Sequence, residues 1–134
     1  MIGILVMTHE YLGDHLIRCA IHVMGEKQTQ LEYLNVFVQN DPDDVCAKAQ
    51  SLVNQLDSGD GVLVFSDMFG ATPSNIATRL VHPGKVECIT GVNLPMLVRT
   101  LTYRNESLAI VIEKALSGGK DGILHIRVDS NHAA

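Results

Sequence analysis

The sequence has little positive charge, and none of it is clustered. Its 134 residues contain 10 lysines and arginines against 15 aspartates and glutamates, which gives a net charge of −5. A protein that binds nucleic acid or an anionic membrane surface usually carries a basic patch, and the sequence has none. We therefore expect a mildly acidic soluble protein with no nucleic-acid partner.

Signals for export or membrane insertion are also missing, and cysteines are few. Met1–Met7 lacks a basic region and is too short for a signal sequence or a membrane span. Cys19, Cys46 and Cys88 are odd in number, far apart and set in apolar segments, which disfavours disulfides and a zinc site. We expect buried free thiols, a reducing cytoplasmic location and no membrane insertion.

Short apolar runs alternate with helical segments along the chain. Ile2–His9 and Gly61–Ser66 are almost wholly apolar, as strands are when both of their faces are covered. With further strands at Leu31–Val38 and Val86–Thr90, this order predicts a three-layer α/β/α sandwich with a mostly parallel sheet. The length fits one domain, residues 1–134, whose last residues 129–134 form a frayed tail. Helices are predicted over Glu10–Gly25, Asp41–Leu56, Thr72–Leu80, Leu94–Leu101 and Ser107–Leu116.

Several helix boundaries are marked by specific residues. Asp41 followed by Pro42, and Thr72 followed by Pro73, are typical of an N-cap and the first helical position. Gly118, Gly119 and Gly122 predict a turn after the last helix, whose end we place at Leu116.

Two segments predict contact with another subunit. The helix Glu10–Gly25 has Leu12, Leu16, Cys19, Ala20 and Val23 on one face and Ile17, Ile21 and Met24 on the other. A helix that is apolar on both sides usually contacts more than its own sheet. In Ile123–Val128, apolar residues alternate with His125 and Arg127, which is typical of an edge strand and predicts an antiparallel strand at the sheet edge.

A histidine and an aspartate end the two most apolar strands. His9 closes the first run, and Asp67 lies one residue beyond the run that ends at Ser66. If those strands are neighbours in a parallel sheet, both residues lie at its carboxyl edge, where ligands collect. A carboxylate that accepts the N–H of one ring nitrogen leaves the other free as a nucleophile or base. The alternative is that both residues have only structural roles: His9 would hydrogen-bond a backbone carbonyl at the end of its strand, and Asp67 would cap a turn.

The segment after Asp67 suggests what that histidine would react with. Gly70-Ala71-Thr72-Pro73 opens a helix, and a helix amino end offers free N–H groups and a positive dipole to a phosphoryl group. Gly70 permits close approach of the backbone, and Thr72 adds a hydroxyl. The combination predicts a phosphohistidine. Because no Walker-type glycine pattern is present, the phosphoryl group would come from another protein or a small donor.

Three segments in order resemble one protein family. They are the strand ending in Thr8-His9, the stretch Phe65–Asn75 (FSDMFGATPSN) and the stretch Ile89–Leu97 (ITGVNLPML). Together they resemble the mannose-type enzyme IIA domain of the bacterial sugar phosphotransferase system. The resemblance implies that His9 accepts a phosphoryl group from the phosphocarrier HPr and passes it to an enzyme IIB. It also implies that Asp67 holds the other ring nitrogen, that Gly70, Ala71 and Thr72 hold the phosphoryl oxygens, and that a homodimer exchanges its last strand.

Departures from the pattern leave other functions open. The family usually has a glycine where Ala71 stands and an aromatic where Ser74 stands, which predicts a stiffer loop and a changed docking surface. The sequence also ends without the IIB domain that often follows. One alternative is a regulatory protein whose phosphorylation state is recognised by a non-transport partner. Another is the phosphotransfer subunit of a dihydroxyacetone kinase. The sequence does not determine which sugar is transported.

Some residues near these motifs have no certain role. Phe69 is either a docking aromatic or a lid, and Asn93 is the member of the third segment that we place closest to the site. His15, Cys19 and His22 share helical spacing, but no carboxylates accompany them, so we expect neither a metal nor a cofactor.

Overall fold

The computed structural model describes residues 1–128 and contains one four-stranded sheet with helices on both faces. All strand pairs within the sheet are parallel, and the strand order is β2-β1-β3-β4. The strands are β1 Gly3–His9, β2 Leu31–Val36, β3 Val62–Ser66 and β4 Val86–Ile89, and the helices are α1 Leu12–Met24, α2 Pro42–Leu56, α3 Thr72–Thr78, α4 Leu94–Tyr103 and α5 Leu108–Asp121.

Two separate apolar cores lie on the two faces of the sheet. Alternate residues of β1 point to opposite sides, so Ile4 and Val6 join one core while Leu5 and Met7 join the other. The first core contains residues of α1, α4 and α5, and the second contains residues of α2 and α3. The predicted three-layer α/β/α arrangement is confirmed, and the continuous apolar runs are the central strands because both of their faces are covered.

The boundaries of α2 are as predicted. Pro42 is its first residue, and the Asp41 carboxylate accepts the Asp43 N–H at 2.9 Å as an N-cap. Val45, Ala49, Val53 and Leu56 form its buried stripe.

The predicted turn at Gly118 and Gly119 is wrong, because both glycines lie inside α5. A β-carbon at Gly118 would come within 2.8 Å of Arg99 Cβ, and one at Gly119 within 2.7 Å of Met96 Cε. The two glycines therefore let α5 approach α4 closely, and glycine serves packing here instead of ending the helix.

The apolar residues of α1 divide between core and surface. Ile17 and Ala20 are buried, and Leu16, Ile21 and Met24 are partly buried against the same core. Leu12, Cys19 and Val23 are exposed, so the predicted division into two faces is wrong: the core side takes residues from both. The helix still has apolar residues that its own sheet does not cover. The predicted burial of all three cysteines is wrong: Cys19 is exposed, and Cys46 and Cys88 are half-buried.

Residues 123–128 form no strand in this chain, and the side chains of Ile123, Leu124, Ile126 and Val128 are exposed. The predicted antiparallel edge strand is thus not formed within a single chain. Its exchange between two chains stays a prediction, and the predicted frayed tail, 129–134, lies outside the described residues. Across residues 1–128, none of the helices combines the length and apolar character that crossing a membrane requires.

Candidate active site

His9 and Asp67 are hydrogen-bonded at the carboxyl edge of the sheet. His9 Nδ1 lies 2.8 Å from Asp67 Oδ2, and the same oxygen accepts the His9 backbone N–H at 3.1 Å. The His9 side chain is 48% exposed and that of Asp67 is 11% exposed. A mostly buried carboxylate thus fixes a histidine that reagents can reach.

The strand order brings these two residues together. β1 and β3 pair with Met7 opposite Ser66, so the two strands end almost level. In the sheet, β2 lies on one side of β1 and β3 lies on the other side. The strand order therefore reverses between β1 and β3, which makes this gap the switch point of the sheet. Crevices at such points are where open α/β sheets bind ligands.

The histidine tautomer follows from this geometry. A carboxylate only accepts, so Nδ1 carries the proton that is donated to Asp67 Oδ2. The lone pair of Nε2 is then free for an electrophile or for a proton. The pair can act as an oriented nucleophile or base.

The chain turns sharply straight after His9. Glu10 has φ of 48°, a left-handed conformation that costs energy for a residue with a side chain. The buried Thr8 hydroxyl accepts the Gly13 N–H at 2.7 Å and donates to the His9 carbonyl at 3.2 Å. These bonds connect the end of β1 to the first turn of α1 and hold the histidine backbone in place.

The loop between β3 and α3 places Thr72 beside His9. Both residues line a cavity of about 300 Å³, together with Pro73. Gly70 has φ of 83°, with no atom within 4 Å of a β-carbon built on it, so backbone conformation and not crowding favours glycine there.

The start of α3 differs from the prediction. Ala71, not Thr72, is the N-cap, and no side chain caps the helix from that position. Thr72 is the first helical residue, and its side chain is exposed. The Gly70 N–H donates to Ser74 Oγ at 3.0 Å, so the amide that we expected to face a phosphoryl group already has an acceptor.

Exposed apolar side chains lie on the segments that adjoin His9 and Asp67. Phe69 is 86% exposed, so it does not cover His9 in this structure, and Tyr11, Val38 and Met68 are also exposed. Phe37 stacks edge-on against Tyr11, with ring centroids 5.3 Å apart. Phe37 and Val38 were not predicted as site residues, because the apolar pattern continues the second strand to Val38, whereas the strand ends at Val36. They belong to the loop that lines the cavity with His9.

Ser74 and Asn93 both make bonds to the backbone. Ser74 is 2% exposed, so it adds no side chain to a docking surface, and the expected change of that surface relative to the family stays a prediction. Asn93 is the N-cap of α4: its side chain accepts the Met96 N–H at 2.9 Å and donates to the Gly119 carbonyl at 3.2 Å. Among residues 1–128, no three His, Cys, Asp or Glu side chains are grouped so as to hold a metal ion.

Comparison with known proteins agrees with this site. Residues 3–116 match the family EIIA-man, described as "PTS system fructose IIA component". The chain therefore belongs to the EIIA-man family and is a mannose-type enzyme IIA component of the phosphotransferase system.

The relatives share sequence over most of this chain. It is 30% identical over 125 residues to the PTS system mannose-specific EIIAB component of Escherichia coli K12, a match that covers 91% of this chain and 38% of that protein. The chain thus spans well under half the length of that curated relative.

Two solved structures share the fold. The phosphotransferase component EIIA of Streptococcus agalactiae superposes with a TM-score of 0.83 at 24% identity, covering 93% of this chain and 97% of that one. The mannose/sorbose specific IIA subunit of Enterococcus faecalis gives a TM-score of 0.85 at 15% identity, with coverages of 96% and 97%.

Proposed function

We propose that this chain is a cytoplasmic phosphoryl carrier in sugar uptake, a single IIA domain that accepts a phosphoryl group from phospho-HPr on His9. It then passes the group to an enzyme IIB. The observation that carries the proposal is the 2.8 Å contact between His9 Nδ1 and Asp67, which leaves Nε2 as the nucleophile in a chain of this family. The same proposal makes the active protein a homodimer.

The chemistry is an exchange of one phosphorus–nitrogen bond for another. The Nε2 lone pair of His9 attacks phosphorus as the bond to the donor nitrogen breaks, and the donor ring recovers its lone pair. His9 keeps its Nδ1 proton, so positive charge develops on the ring. The Asp67 carboxylate stabilises that charge across 2.8 Å, and the reverse steps deliver the group to the acceptor.

Residues at the start of α3 would hold the phosphoryl oxygens. Thr72 offers an exposed hydroxyl and lines the cavity next to His9. The backbone N–H groups of Ala71 and Thr72 are the donors we assign to this role. We assign Gly70 the role of setting the loop conformation, because its own N–H is bonded to Ser74.

A reconstituted transfer assay tests the proposal. The protein is incubated with HPr, its upstream kinase and phosphoenolpyruvate, and we expect one phosphate that is labile to acid and stable to alkali, as phosphoramidates are. His9→Ala should abolish labelling, while His82→Ala, which alters an exposed loop histidine, should be labelled normally. Full labelling of His9→Ala would overturn the assignment.

A further inference from the structure

Ser74 lies behind the loop that approaches His9, and its hydroxyl makes two bonds to that loop. Ser74 Oγ accepts the Gly70 N–H at 3.0 Å and donates to the Ala71 carbonyl at 3.2 Å. Ser74 is 2% exposed, so its hydroxyl reaches the exposed Gly70 and the half-buried Ala71 from the protein interior. One side chain thus connects the first turn of α3 to the two residues before the helix.

This bond pattern differs from an ordinary helix cap. A serine, threonine or aspartate at the N-cap position usually accepts an N–H from the first turn, but Ala71 occupies that position and has no such side chain. Ser74 instead reaches backwards from inside the helix. Its bond to the Gly70 N–H holds the left-handed conformation of Gly70, whose φ is 83°.

The loop held in this way is the one that brings Thr72 to the cavity beside His9. Thr72 follows directly after the two residues that Ser74 contacts, and Thr72 and His9 line the same cavity. Loss of the Ser74 hydroxyl would leave the Gly70 N–H without its acceptor and free the backbone to rotate. The distance between the Thr72 backbone and His9 would then vary.

We propose that Ser74 is a positioning residue for phosphoryl transfer: its hydroxyl fixes the backbone of Gly70 and Ala71, so that Thr72 is held ready beside His9. This inference rests on the proposed function of His9 as phosphoryl acceptor. Ser74 itself does not touch the phosphoryl group. Because the Gly70 N–H is bonded to Ser74 Oγ, the N–H groups of Ala71 and Thr72 are the ones assigned to the phosphoryl oxygens.

The test compares two variants that each lose one hydroxyl from α3. Ser74→Ala removes both loop bonds, whereas Thr78→Ala removes the bond from Thr78 Oγ1 to the Ser74 carbonyl at 2.8 Å, one turn further from the site. Rapid-quench transfer from phospho-HPr gives the maximal rate constant and the donor concentration at half-maximal rate. For Ser74→Ala we expect a maximal rate lowered about tenfold, the size of one lost hydrogen bond, with the half-maximal concentration unchanged. Thr78→Ala should transfer at the parental rate.

A second measurement reports on the loop itself. Hydrogen exchange of the Gly70 amide, followed by NMR, should accelerate at least about tenfold in Ser74→Ala and stay unchanged in Thr78→Ala. If Ser74→Ala fails to fold, Ser74→Cys keeps nearly the same shape with a much weaker hydrogen-bonding group and serves in its place.

The outcomes separate this inference from the proposed function. Parental transfer by Ser74→Ala with a fast-exchanging Gly70 amide would overturn the positioning role and leave the role of His9 intact. Equal losses of rate in both variants, in proportion to lost stability, would also overturn it. Absence of phosphorylation in the parental protein would overturn the proposed function, and the inference with it.

Discussion

Asp67 contacts His9 through a single carboxylate oxygen that accepts both a ring N–H and a backbone N–H. The two bonds fix the direction of the imidazole as well as its tautomer. In an amide of the same shape an NH₂ group facing His9 would accept neither bond, and an amide oxygen facing His9 would accept both but carry no negative charge to stabilise the ring.

Asp67→Asn should therefore slow phosphoryl transfer to His9 without unfolding the protein. We expect a loss of about 10- to 100-fold, as for other partners that orient a reactive histidine, and a thermal midpoint close to the parental value. The transfer rate is measured by rapid quench, and Glu113→Gln, a carboxylate-to-amide change on α5, is the control. Transfer at the parental rate would mean that Asp67 only ends the strand.

The three cysteines differ in exposure, although the sequence suggested that all are alike. Cys19 is exposed on α1, while Cys88 lies half-buried on β4. Burial raises the pKa of the Cys88 thiol to about 11, because the thiolate loses water contacts.

Cys88 should consequently react slowly with thiol reagents in the folded protein. In a variant that combines Cys19→Ser and Cys46→Ser, the raised pKa leaves about one hundredth of the thiolate expected for an ordinary cysteine at pH 8. We expect alkylation at least about tenfold slower in buffer than in 8 M urea, with the rate rising with pH up to about 11. Equal rates in both solvents would show that Cys88 is not shielded.

At the scale of elements, the contact between α4 and α5 depends on glycines within a helix. The nearest atom to a β-carbon at Gly118 would be Arg99 Cβ, close to the α4 backbone, whereas at Gly119 it would be the end of the flexible Met96 side chain. Gly119 should therefore tolerate an added methyl group better than Gly118.

Gly118→Ala should destabilise the protein although alanine is the better helix former. Its intrinsic gain is about 1 kcal/mol, while overpacking of the contact between α4 and α5 costs about 1–3 kcal/mol. Because the close contact is with Arg99 Cβ, the cost should lie in the upper part of that range, with a net loss of about 1–2 kcal/mol. Chemical unfolding should give a lower free energy of unfolding for Gly118→Ala than for the parent. The matched variant Gly119→Ala should lose less free energy of unfolding, because Met96 Cε can rotate away. A Gly118→Ala protein as stable as the parent would show that α4 and α5 are not packed too closely for a methyl group at this position.

At the scale of the whole molecule, several apolar side chains have no partner within the described residues. Leu12 and Val23 are exposed on α1, and Ile123, Leu124, Ile126 and Val128 are exposed after α5. A second copy of the chain is the partner that the family resemblance predicts for these surfaces.

The full-length protein should be a stable dimer, and removal of residues 123–134 should convert it into a monomer. Burial of a few aliphatic side chains at about 1.5–3 kcal/mol each, with added strand hydrogen bonds, is enough to offset the entropy of association. Sedimentation at micromolar concentration measures the mass, and removal of residues 129–134 alone is the control that should stay dimeric. A monomeric full-length protein, or a truncated chain that still dimerises, would contradict the exchanged strand.

The sequence alone predicted the layers, the central strands and the two residues, His9 and Asp67, that meet at the sheet edge. Continuous apolar runs mark β1 and β3 because strands covered on both faces tolerate few polar residues. His9 was visible as the histidine that ends the first run and Asp67 as the aspartate directly after the second. The Asp41–Pro42 start of α2 was equally visible, since a cap is a local interaction between residues adjacent in the chain.

Tertiary structure decided what depends on partners that are distant in sequence. Only the strand order makes His9 and Asp67 neighbours, and only the contact with α4 explains why a glycine stands at position 118 inside a helix. Arg104 is 3% exposed and donates to the carbonyls of Ile2, Thr29 and Gln30, more than 70 positions away. Local pattern cannot reveal such pairings, because a side chain is buried or exposed according to what the fold brings against it.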